Sequence, residues 1–321
     1  MEFIKDYSKY IDIELQNIGL PIEPTNLYDP LRYFIKIGGK RMRPMLTLLG
    51  AELFDLKKED VINAAISIEL FHNFTLIHDD IMDAATLRRG FTTIHHKWDT
   101  NTAILSGDVL MIKAYEYLQK QGGNLSELLS HFNTTAVQVC EGQQLDMNFE
   151  NQSNITIDEY IEMIKLKTSV LLGCALKLSA IVAGASKENQ DLLYDFGVNI
   201  GIAFQIQDDI LDLYADPNKF GKQVGGDITT NKKTILYLLA LKNANSQQLN
   251  TLKELQTETD VTHKIEKTRK IFDDLDVRTM SQELMNDYYK LAYDNLQNVT
   301  VPELNKEKLI NLSNYLFNRE V

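Results

Sequence analysis

Residues 74–83 read FTLIHDDIMD, and this stretch sets three carboxylates into an otherwise apolar segment. Asp79 and Asp83 are four residues apart, so a helix places them on one face, where like charges destabilise each other. The surrounding apolar residues recur at intervals of three and four, which is typical of a helix. The sequence therefore predicts a helix whose acidic face needs a cation from elsewhere.

The same Asp-Asp-x-x-Asp arrangement recurs downstream, where residues 205–212 read QIQDDILD. At 100° per residue, His72, Asp79 and Asp83 fall within about 40° of each other on the first helix. The acidic face of the second helix also carries Gly197 and Gly201. A glycine inside a helix costs about 1 kcal/mol relative to alanine, so this pair indicates a bound ligand or close helix packing. Two copies in apolar helices favour a functional pair over two solvated acidic faces, because unpaired buried charges are expensive.

Helical periodicity dominates the rest of the chain. The six prolines lie at 21, 24, 30, 44, 217 and 302, which leaves 45–216 without a helix breaker. Apolar residues recur at helical intervals near 59–85, 99–119, 124–148, 157–184 and 187–213, with no sustained strand-like alternation. Residues 216–227 read as a glycine-rich loop, and 232–319 return to a helical pattern with a polar interruption near 244–262. The sequence predicts an all-α fold with no convincing domain linker.

Composition and charge exclude several classes of protein. The formal net charge of −12 argues against nucleic acid as a partner, because nucleic-acid-binding proteins usually carry a basic surface. Cys140 and Cys174 have no metal-binding spacing around them, which predicts two reduced, buried thiols and a cytoplasmic location. The N-terminal residues lack the pattern of a signal peptide. The longest apolar run, 170–185, contains Lys177 and is too short to cross a bilayer, so we expect a buried helix and no integral membrane segment.

Carboxylates without histidine or cysteine partners favour hard cations. Mg²⁺ is typically held by one or two carboxylates, while water and substrate phosphates fill its other positions. A phosphorylated ligand also needs cationic side chains, and three clusters mix lysine or arginine with glycine: GGKRMRP at 38–44, LRRG at 87–90 and GKQVGGDITTNKK at 221–233. None has the spacing of a nucleotide-binding P-loop. The residues alone therefore predict a phosphorylated ligand bridged by Mg²⁺.

Seven motifs, in order, resemble those of the trans-isoprenyl diphosphate (polyprenyl) synthases: GGKRMRP, ELFHNFTLIHDDIMD, LRRG, GQQLDM, KLKTS, FQIQDDILD and GKQVGGDITTNKKT. The resemblance covers nearly the whole chain, so 1–321 is expected to be a single domain. It implies an all-α helical bundle around a deep central cavity, assembled as a homodimer. It also implies a reaction in which an allylic diphosphate ionises, isopentenyl diphosphate attacks the carbocation, and a proton is lost.

The resemblance assigns an allylic diphosphate site by motif position. The metal ligands would be Asp79, Asp83 and Asp208, with three Mg²⁺ ions when the diphosphate is bound. The carboxylates that would support these ions directly or through water are Asp80, Asp209 and Asp212. The cations that match contacts to the same leaving group are Arg88, Lys167, Lys222 and Lys232. The oxygen dipoles that would face the carbocation belong to Thr168 and Gln205. Preplaced cations stabilise the negative charge that gathers on the departing diphosphate.

The resemblance assigns a second, metal-free pocket to isopentenyl diphosphate, whose diphosphate does not leave. Its residues would be Lys40, Arg43, His72 and Arg89. The allylic partner would be dimethylallyl, geranyl or farnesyl diphosphate. Arg319 resembles a basic residue that closes the site in some members, but its spacing is loose and we leave it out.

Product length in the family depends on bulky side chains below the first acidic motif. Phe74, followed by the small Thr75, favours geranylgeranyl diphosphate (C20) over farnesyl diphosphate (C15) or a longer chain. On an ideal helix Phe74 lies about 140° round from Asp79, so this role rests on the family and not on geometry.

Three other interpretations compete with this one. Glu69 and His72 form a Glu-x-x-His pair of the kind used by di-iron helical bundles, but such bundles need two pairs and the sequence contains one. A non-catalytic subunit of a heterodimeric synthase would not need intact acidic motifs on both helices. A class I terpene synthase ionises the same allylic substrates, but it typically has an Asn/Ser/Glu second site and does not need the GGKRMRP cluster. Turnover and product analysis with purified protein would separate these classes.

Overall fold

The computed structural model describes residues 2–152, 154–215 and 224–317. Within these ranges the chain is helical apart from loops and one short antiparallel hairpin, β1 (Leu87–Arg88) and β2 (Phe91–Thr92). The helices up to residue 121 are α1 (Glu2–Gln16), α2 (Thr25–Ile37), α3 (Met42–Glu52), α4 (Lys58–Met82), α5 (Ile94–Lys97) and α6 (Thr100–Gln121). The next are α7 (Leu125–Asn151), α8 (Ile157–Ile164), a π-helix (Lys165–Ser169), α9 (Val170–Val182) and α10 (Lys187–Tyr214). The last are α11 (Gly226–Thr229), α12 (Ile235–Asn243), α13 (Ser246–Leu255), α14 (Val261–Asp274), α15 (Val277–Asn298) and α16 (Glu303–Phe317). The predicted all-α class is confirmed.

Contacts between Cα atoms divide the chain into two compact units. The first unit contains Met1–Asn133, Cys174–Asp191 and Thr300–Leu309. The second contains Thr134–Gly173, Leu192–Val299 and Ile310–Val321. The first acidic motif belongs to the first unit and the second acidic motif to the second unit. The expectation of a single domain over 1–321 stays a prediction.

Helix α4 carries the first acidic motif and packs against α3 and α6 within the first unit. Its buried positions occur on every turn from Val61 to Ile77, so α4 is enclosed along most of its length. Gly107 of α6 lies against the imidazole ring of His78, and a Cβ at that glycine would collide with the ring. The helix ends at Met82 with Asp83 as its C-cap, and the next residue, Ala84, adopts the left-handed conformation with φ +49°. This packing fixes the end of α4 on which the acidic residues lie.

Glycines allow helices of the second unit to pack closely around the π-helix. Gly142 of α7 lies directly against the backbone of Lys167. Gly201 of α10 approaches Ser169, where an added Cβ would lie 2.7 Å from the Cα of that serine, and Gly197 packs in the same way on α9. Of the two explanations left open for the glycines of α10, the structure therefore supports close helix packing. The π-helix is held between α7 and α10.

The predicted helical stretches are confirmed, with one exception in the C-terminal part of the chain. The predicted polar interruption near 244–262 contains α13, which is a regular helix. Asn245 caps its first turn by accepting hydrogen bonds from the backbone amides of Gln247 and Gln248, both at 3.0 Å. Only Leu252 and Leu255 of α13 are buried, so its sequence is polar because most of its surface faces solvent.

The prediction of two buried thiols is half correct, because Cys174 is buried whereas Cys140 is exposed on α7. The apolar run at 170–185 forms α9, whose residues are almost all buried, as predicted. Lys177 within it lies 2.6 Å from the carboxylate of Asp191, which compensates its burial. In the described ranges, no helix combines the length and the apolar character needed to cross a membrane.

Candidate active site

Arg88 of the β-hairpin binds the first acidic motif. Its Nη2 lies 2.6 Å from Asp80 Oδ1 and 3.3 Å from Asp79 Oδ2, and its Nε donates to Asp80 Oδ1 at 2.7 Å. Burial and then the charge of Asp79 raise the pKa of Asp80, although the hydrogen bond and charge of Arg88 oppose the rise. Part of the positive charge that the acidic helix requires therefore comes from LRRG, a pairing that the sequence analysis missed.

The carboxylates of this motif fit a hard cation. Asp80 Oδ2 is buried and accepts no hydrogen bond from any residue in the described ranges. Asp79 is half-buried, and Asp83 is exposed at the end of α4. The described part of the chain contains no group of three His, Cys, Asp or Glu side chains arranged to hold a metal ion. Carboxylate oxygens are ligands that Mg²⁺ accepts, and the rest of its coordination is typically completed by water and substrate phosphates.

A basic cluster lies against α4 one to two turns before the acidic motif. Arg43 Nη1 is 3.0 Å from His72 Nε2. A guanidinium only donates, so His72 Nε2 is the unprotonated acceptor. Burial, and then the charges of Arg43 and Arg89, lower the pKa of His72 well below its usual value. Burial also lowers the pKa of Arg43 to about 10, with the charge of Arg89 adding to the effect. His72 is therefore a neutral ring beside concentrated positive charge, a setting that suits an anionic ligand.

Arg89 joins this cluster from the hairpin. Its guanidinium lies over Gly39, where an added Cβ would be 2.5 Å from Arg89 Nη1. Gly39 thus leaves room for the arginine beside Lys40, whose side chain is exposed. The four residues predicted for the metal-free pocket belong to one region of the first unit.

Arg41 shapes the basic region, although the sequence did not predict its role. The side chain is buried, with Nη1 at 2.6 Å from Glu69 Oε1 and Nε at 2.8 Å from Asp12 Oδ1. Its φ of +50° turns the backbone just before α3 begins. Glu69 is thus paired with an arginine and His72 with another, so this Glu-x-x-His pair is not a di-iron half-site. The sequence did offer one signal, which is Glu69 within an apolar helical segment. A carboxylate that is buried in such a segment needs a cationic partner such as Arg41.

Asp209 is the most enclosed carboxylate of the second acidic motif. Its Oδ2 accepts hydrogen bonds from the Tyr160 hydroxyl and, at 3.2 Å, from the first backbone amide of α12. The Gln205 amide lies 3.4 Å from its Oδ1. Burial and then the charge of Asp227 raise the pKa of Asp209 to about 7, while the charge of Lys232 opposes the rise. Tyr160 had no signal in the sequence, because it lies outside the acidic motifs.

Asp212 is held by Gly225 and Asp227, at the start of α11. The Asp227 amide donates to Asp212 Oδ2 at 3.0 Å, and the Gly225 amide donates to the Asp212 carbonyl at 2.7 Å. Gly225 has a φ of +81°, which a residue with a side chain rarely adopts. Asp208 is half-buried on the same helix. The second acidic motif is therefore fixed by donors from three elements of its own unit.

The π-helix carries Lys167 and Thr168, both half-buried. Lys167 Nζ lies 2.6 Å from Asp146 Oδ2 of α7. Lys232 is exposed, and its backbone amide donates to the Asp227 carbonyl at 2.8 Å. The predicted contact Lys222 lies outside the described residues, as does Arg319.

Phe74 lies on the side of α4 that faces α6. Its ring centroid is 4.7 Å from that of His78 and 5.5 Å from that of Phe71. His78 Nε2 is in turn 3.1 Å from a backbone carbonyl oxygen of α6. The Thr75 hydroxyl donates to the His72 carbonyl at 2.8 Å. Phe74 thus packs between Phe71 and His78 on one side of α4, and His78 makes the contact with α6.

A family model for polyprenyl synthetases matches residues 24–275, which include both acidic motifs and all three basic clusters. The chain belongs to the polyprenyl synthetase family. The geranylfarnesyl diphosphate synthase of Natronomonas pharaonis is 44% identical over 241 residues, which cover 69% of this chain and 71% of that protein. The geranylgeranyl pyrophosphate synthase of Geoglobus acetivorans is 35% identical over 99% of both chains. A solved geranylgeranyl pyrophosphate synthase superposes with a TM-score of 0.93, at 42% identity over 99% of both chains.

Membership in the family confirms the resemblance carried by the seven motifs. This polyprenyl synthetase is an enzyme, a prenyltransferase that makes short-chain prenyl diphosphates. The all-α fold of the solved relative agrees with that of the chain.

Proposed function

We propose that the protein joins isopentenyl diphosphate head to tail with an allylic diphosphate and that its main product is geranylgeranyl diphosphate (C20). Dimethylallyl, geranyl and farnesyl diphosphates would serve as allylic substrates. The observation that carries the proposal is the presence of two acidic motifs, each with a buried carboxylate held by fixed donors and each under the influence of a nearby cation, Arg88 for Asp80 and Lys232 for Asp209. Relatives named for geranylgeranyl products support the chain length.

In this proposal the acidic motifs and four cations bind the allylic diphosphate. Asp79, Asp83 and Asp208 ligate the Mg²⁺ ions, three with the substrate bound. Asp80, Asp209 and Asp212 support those ligands. When bound, Mg²⁺ neutralises the diphosphate and makes it a better leaving group. The side chains that contact the leaving group directly are Arg88, Lys167, Lys222 and Lys232.

Arg88 has two tasks in this scheme. Without substrate it neutralises Asp80 and Asp79, because the charge of Asp79 otherwise disfavours a charge on Asp80. A guanidinium has five donors, so it can retain a bond to Asp80 while others meet the diphosphate. The same side chain therefore preserves the acidic motif before the metal arrives and contributes positive charge afterwards.

The basic cluster of the first unit binds isopentenyl diphosphate in this proposal. Lys40, Arg43 and Arg89 supply positive charge, and the neutral His72 ring is held by Arg43. No metal is required, because the diphosphate of this substrate does not leave and develops no additional charge. The cluster therefore lowers KM more than it raises kcat.

Thr168 and Gln205 supply neutral oxygen dipoles toward the carbocation. A neutral dipole stabilises positive charge without forming an adduct, whereas a carboxylate would trap the cation. Phe74 limits the length of the growing chain on the α6 side of α4, and Thr75 leaves space beside it.

We also propose that the protein works as a homodimer in the cytoplasm. The homodimer follows the family resemblance, and the location follows the sequence, whose two cysteines are typical of a reducing compartment. Sedimentation equilibrium of the purified chain tests the dimer.

Product analysis tests the proposed function. Purified protein is incubated with Mg²⁺, dimethylallyl diphosphate and labelled isopentenyl diphosphate, and the products are separated by chain length after removal of phosphate. The proposal predicts a linear C20 product that requires Mg²⁺. One relative is named for a geranylfarnesyl (C25) product, so the separation must distinguish C20 from C25. Cyclic products, or no turnover by the chain alone, would contradict the proposal.

A further inference from the structure

We infer that Asp146 is a positioning residue for Lys167, so that GQQLDM on α7 orients the cation that meets the allylic leaving group. The inference rests on the role proposed for Lys167. Asp146 lies outside the two acidic motifs and had no role in the sequence analysis. A positioning role for Asp146 would give a function to the GQQLDM motif, which the proposed function leaves unexplained.

The packing of α7 against the π-helix brings the two side chains together. Gly142 contacts the backbone of Lys167, and no residue with a Cβ fits there. Asp146 is four residues further along α7, on the same face as Gly142. Its Oδ2 lies 2.6 Å from Lys167 Nζ, a short distance for a charge-assisted hydrogen bond. The glycine therefore sets the distance at which the carboxylate meets the ammonium.

A second helix, α10, also packs against the π-helix. Gly201 of α10 packs on Ser169, two residues after Lys167. With the backbone of Lys167 against α7 and Ser169 against α10, the remaining freedom of Lys167 lies in its flexible four-carbon side chain. The bond to Asp146 limits that remaining freedom.

A role in orientation explains the pair better than a role in stability. About a quarter of each side chain is exposed, 26% for Lys167 and 23% for Asp146, and ion pairs that are open to solvent add little to folding stability. An ammonium has three donors, so a bond to one carboxylate is compatible with bonds to a diphosphate. Asp146 thus keeps Lys167 Nζ in place before negative charge develops on the leaving group. A cation that is already in position lowers the activation barrier, because it does not need to reorient during the reaction.

A double-mutant cycle tests the inference. The variants are Asp146→Ala, Lys167→Ala and the double variant, with Glu141→Gln as the control because Glu141 is an exposed acid on the same helix. We measure kcat, KM for each substrate and the melting temperature. Asp146→Ala should lower kcat about tenfold, since a misplaced catalytic group typically costs one to two orders of magnitude. KM for isopentenyl diphosphate should stay within about twofold of wild type, as should all parameters of Glu141→Gln.

The decisive comparison is the effect of Asp146→Ala when Lys167 is already absent. If Asp146 acts through Lys167, the second substitution should change kcat less than about twofold. An equal loss in both backgrounds would overturn the inference and indicate that Asp146 binds metal or substrate itself. Asp146→Asn, which keeps an acceptor oxygen, should recover part of the lost kcat, and it replaces Asp146→Ala in the cycle if that variant does not fold.

The Lys167→Ala variant by itself tests whether Lys167 contacts the allylic leaving group. If Lys167→Ala alone keeps wild-type kcat, Lys167 does not serve the leaving group, and the inference falls with that assignment. If Lys167→Ala is impaired but the cycle is additive, only the positioning role of Asp146 is overturned.

Discussion

Replacing Arg88 by methionine should destabilise the protein in the absence of substrate and metal. Methionine keeps most of the aliphatic stem but removes the guanidinium that bonds to Asp80 at 2.6 Å and 2.7 Å and to Asp79 at 3.3 Å. Asp80 would then keep a buried negative charge without a cation. The expected effect is therefore a loss of folding free energy, separate from any loss of catalysis.

The magnitude follows from the exposure of the two partners. The Asp80 side chain is 2% exposed and that of Arg88 is 25% exposed. Removing one partner of a fully buried ion pair costs about 3–5 kcal/mol. The partial exposure of Arg88 lets water screen the remaining charge, so we expect about 2–3 kcal/mol.

Urea unfolding of the metal-free protein measures this loss. Arg32→Met is the matched control, because Arg32 lies 2.7 Å from Asp29 and also donates to the backbone carbonyls of Leu20 and Pro21, but the Arg32 and Asp29 side chains are 38% and 54% exposed. That surface pair should contribute less than about 1 kcal/mol. Adding Asp80→Asn to Arg88→Met removes the buried negative charge that has no cation. The double variant should therefore recover more than half of the lost free energy of unfolding.

Two results would refute the reasoning on Arg88. Equal losses in Arg88→Met and Arg32→Met would mean that burial of Asp80 is unimportant to the pair. No recovery on adding Asp80→Asn would mean that Arg88 stabilises the fold through packing of its stem and not through its charge.

Three further predictions concern product length, substrate affinity and acid stability. Phe74→Ala should shift the main product from C20 to C25, because the ring it removes fills about the space of one isoprene unit; chromatography of the dephosphorylated products measures the shift. Arg43→Ala and Lys40→Ala should each raise KM for isopentenyl diphosphate about tenfold or more, and KM for the allylic substrate less, in steady-state assays. Burial, and then the charges of Lys177 and Lys187, lower the pKa of His131 to about 4. Below about pH 6.5 the unfolded chain binds a proton at His131 that the folded chain does not, so stability falls as the pH drops towards 4. His131→Gln should remove about 2 kcal/mol of the loss between pH 8 and pH 5, measured by urea unfolding at both values.

Each of these predictions has a contradicting outcome. An unchanged product profile in Phe74→Ala would place the limit on chain length elsewhere, for example along α6 from Leu110 to Tyr117. A larger effect on the allylic KM in Arg43→Ala would mean that the two pockets are exchanged. The same loss of stability at pH 5 in His131→Gln as in wild type would show that His131 is protonated in the folded protein.

The sequence predicted those features that depend on local pattern. The helical periodicity around 59–85 and 187–213 corresponds to α4 and α10, and the repeated acidic motif marked both helices. Motif order identified the family, which the match to residues 24–275 confirms. The assignments of individual residues to the two substrates remain predictions.

The pairings that fix the site could not be predicted, because they join residues far apart in the chain. The three basic residues of GGKRMRP look alike in sequence, yet Arg41 is buried against Glu69 while Lys40 is exposed. The contact between Tyr160 and Asp209 joins α8 to α10, and no local pattern marks that tyrosine. α13 was missed for a different reason, since a mostly solvated helix has almost no apolar periodicity.

The central claim is that both acidic motifs serve one Mg²⁺-dependent chain-elongation reaction. The most direct measurement is the rate at which labelled isopentenyl diphosphate enters prenyl products with wild-type protein, Asp79→Asn and Asp208→Asn, each at saturating Mg²⁺ and allylic diphosphate. Asparagine keeps the shape of aspartate and removes its charge, so folding should be preserved, as a melting curve verifies. The account predicts Mg²⁺-dependent synthesis of a C20 product by wild type and a fall of at least about two orders of magnitude in each variant. Near-normal incorporation by either variant, or none by the wild type, would contradict it.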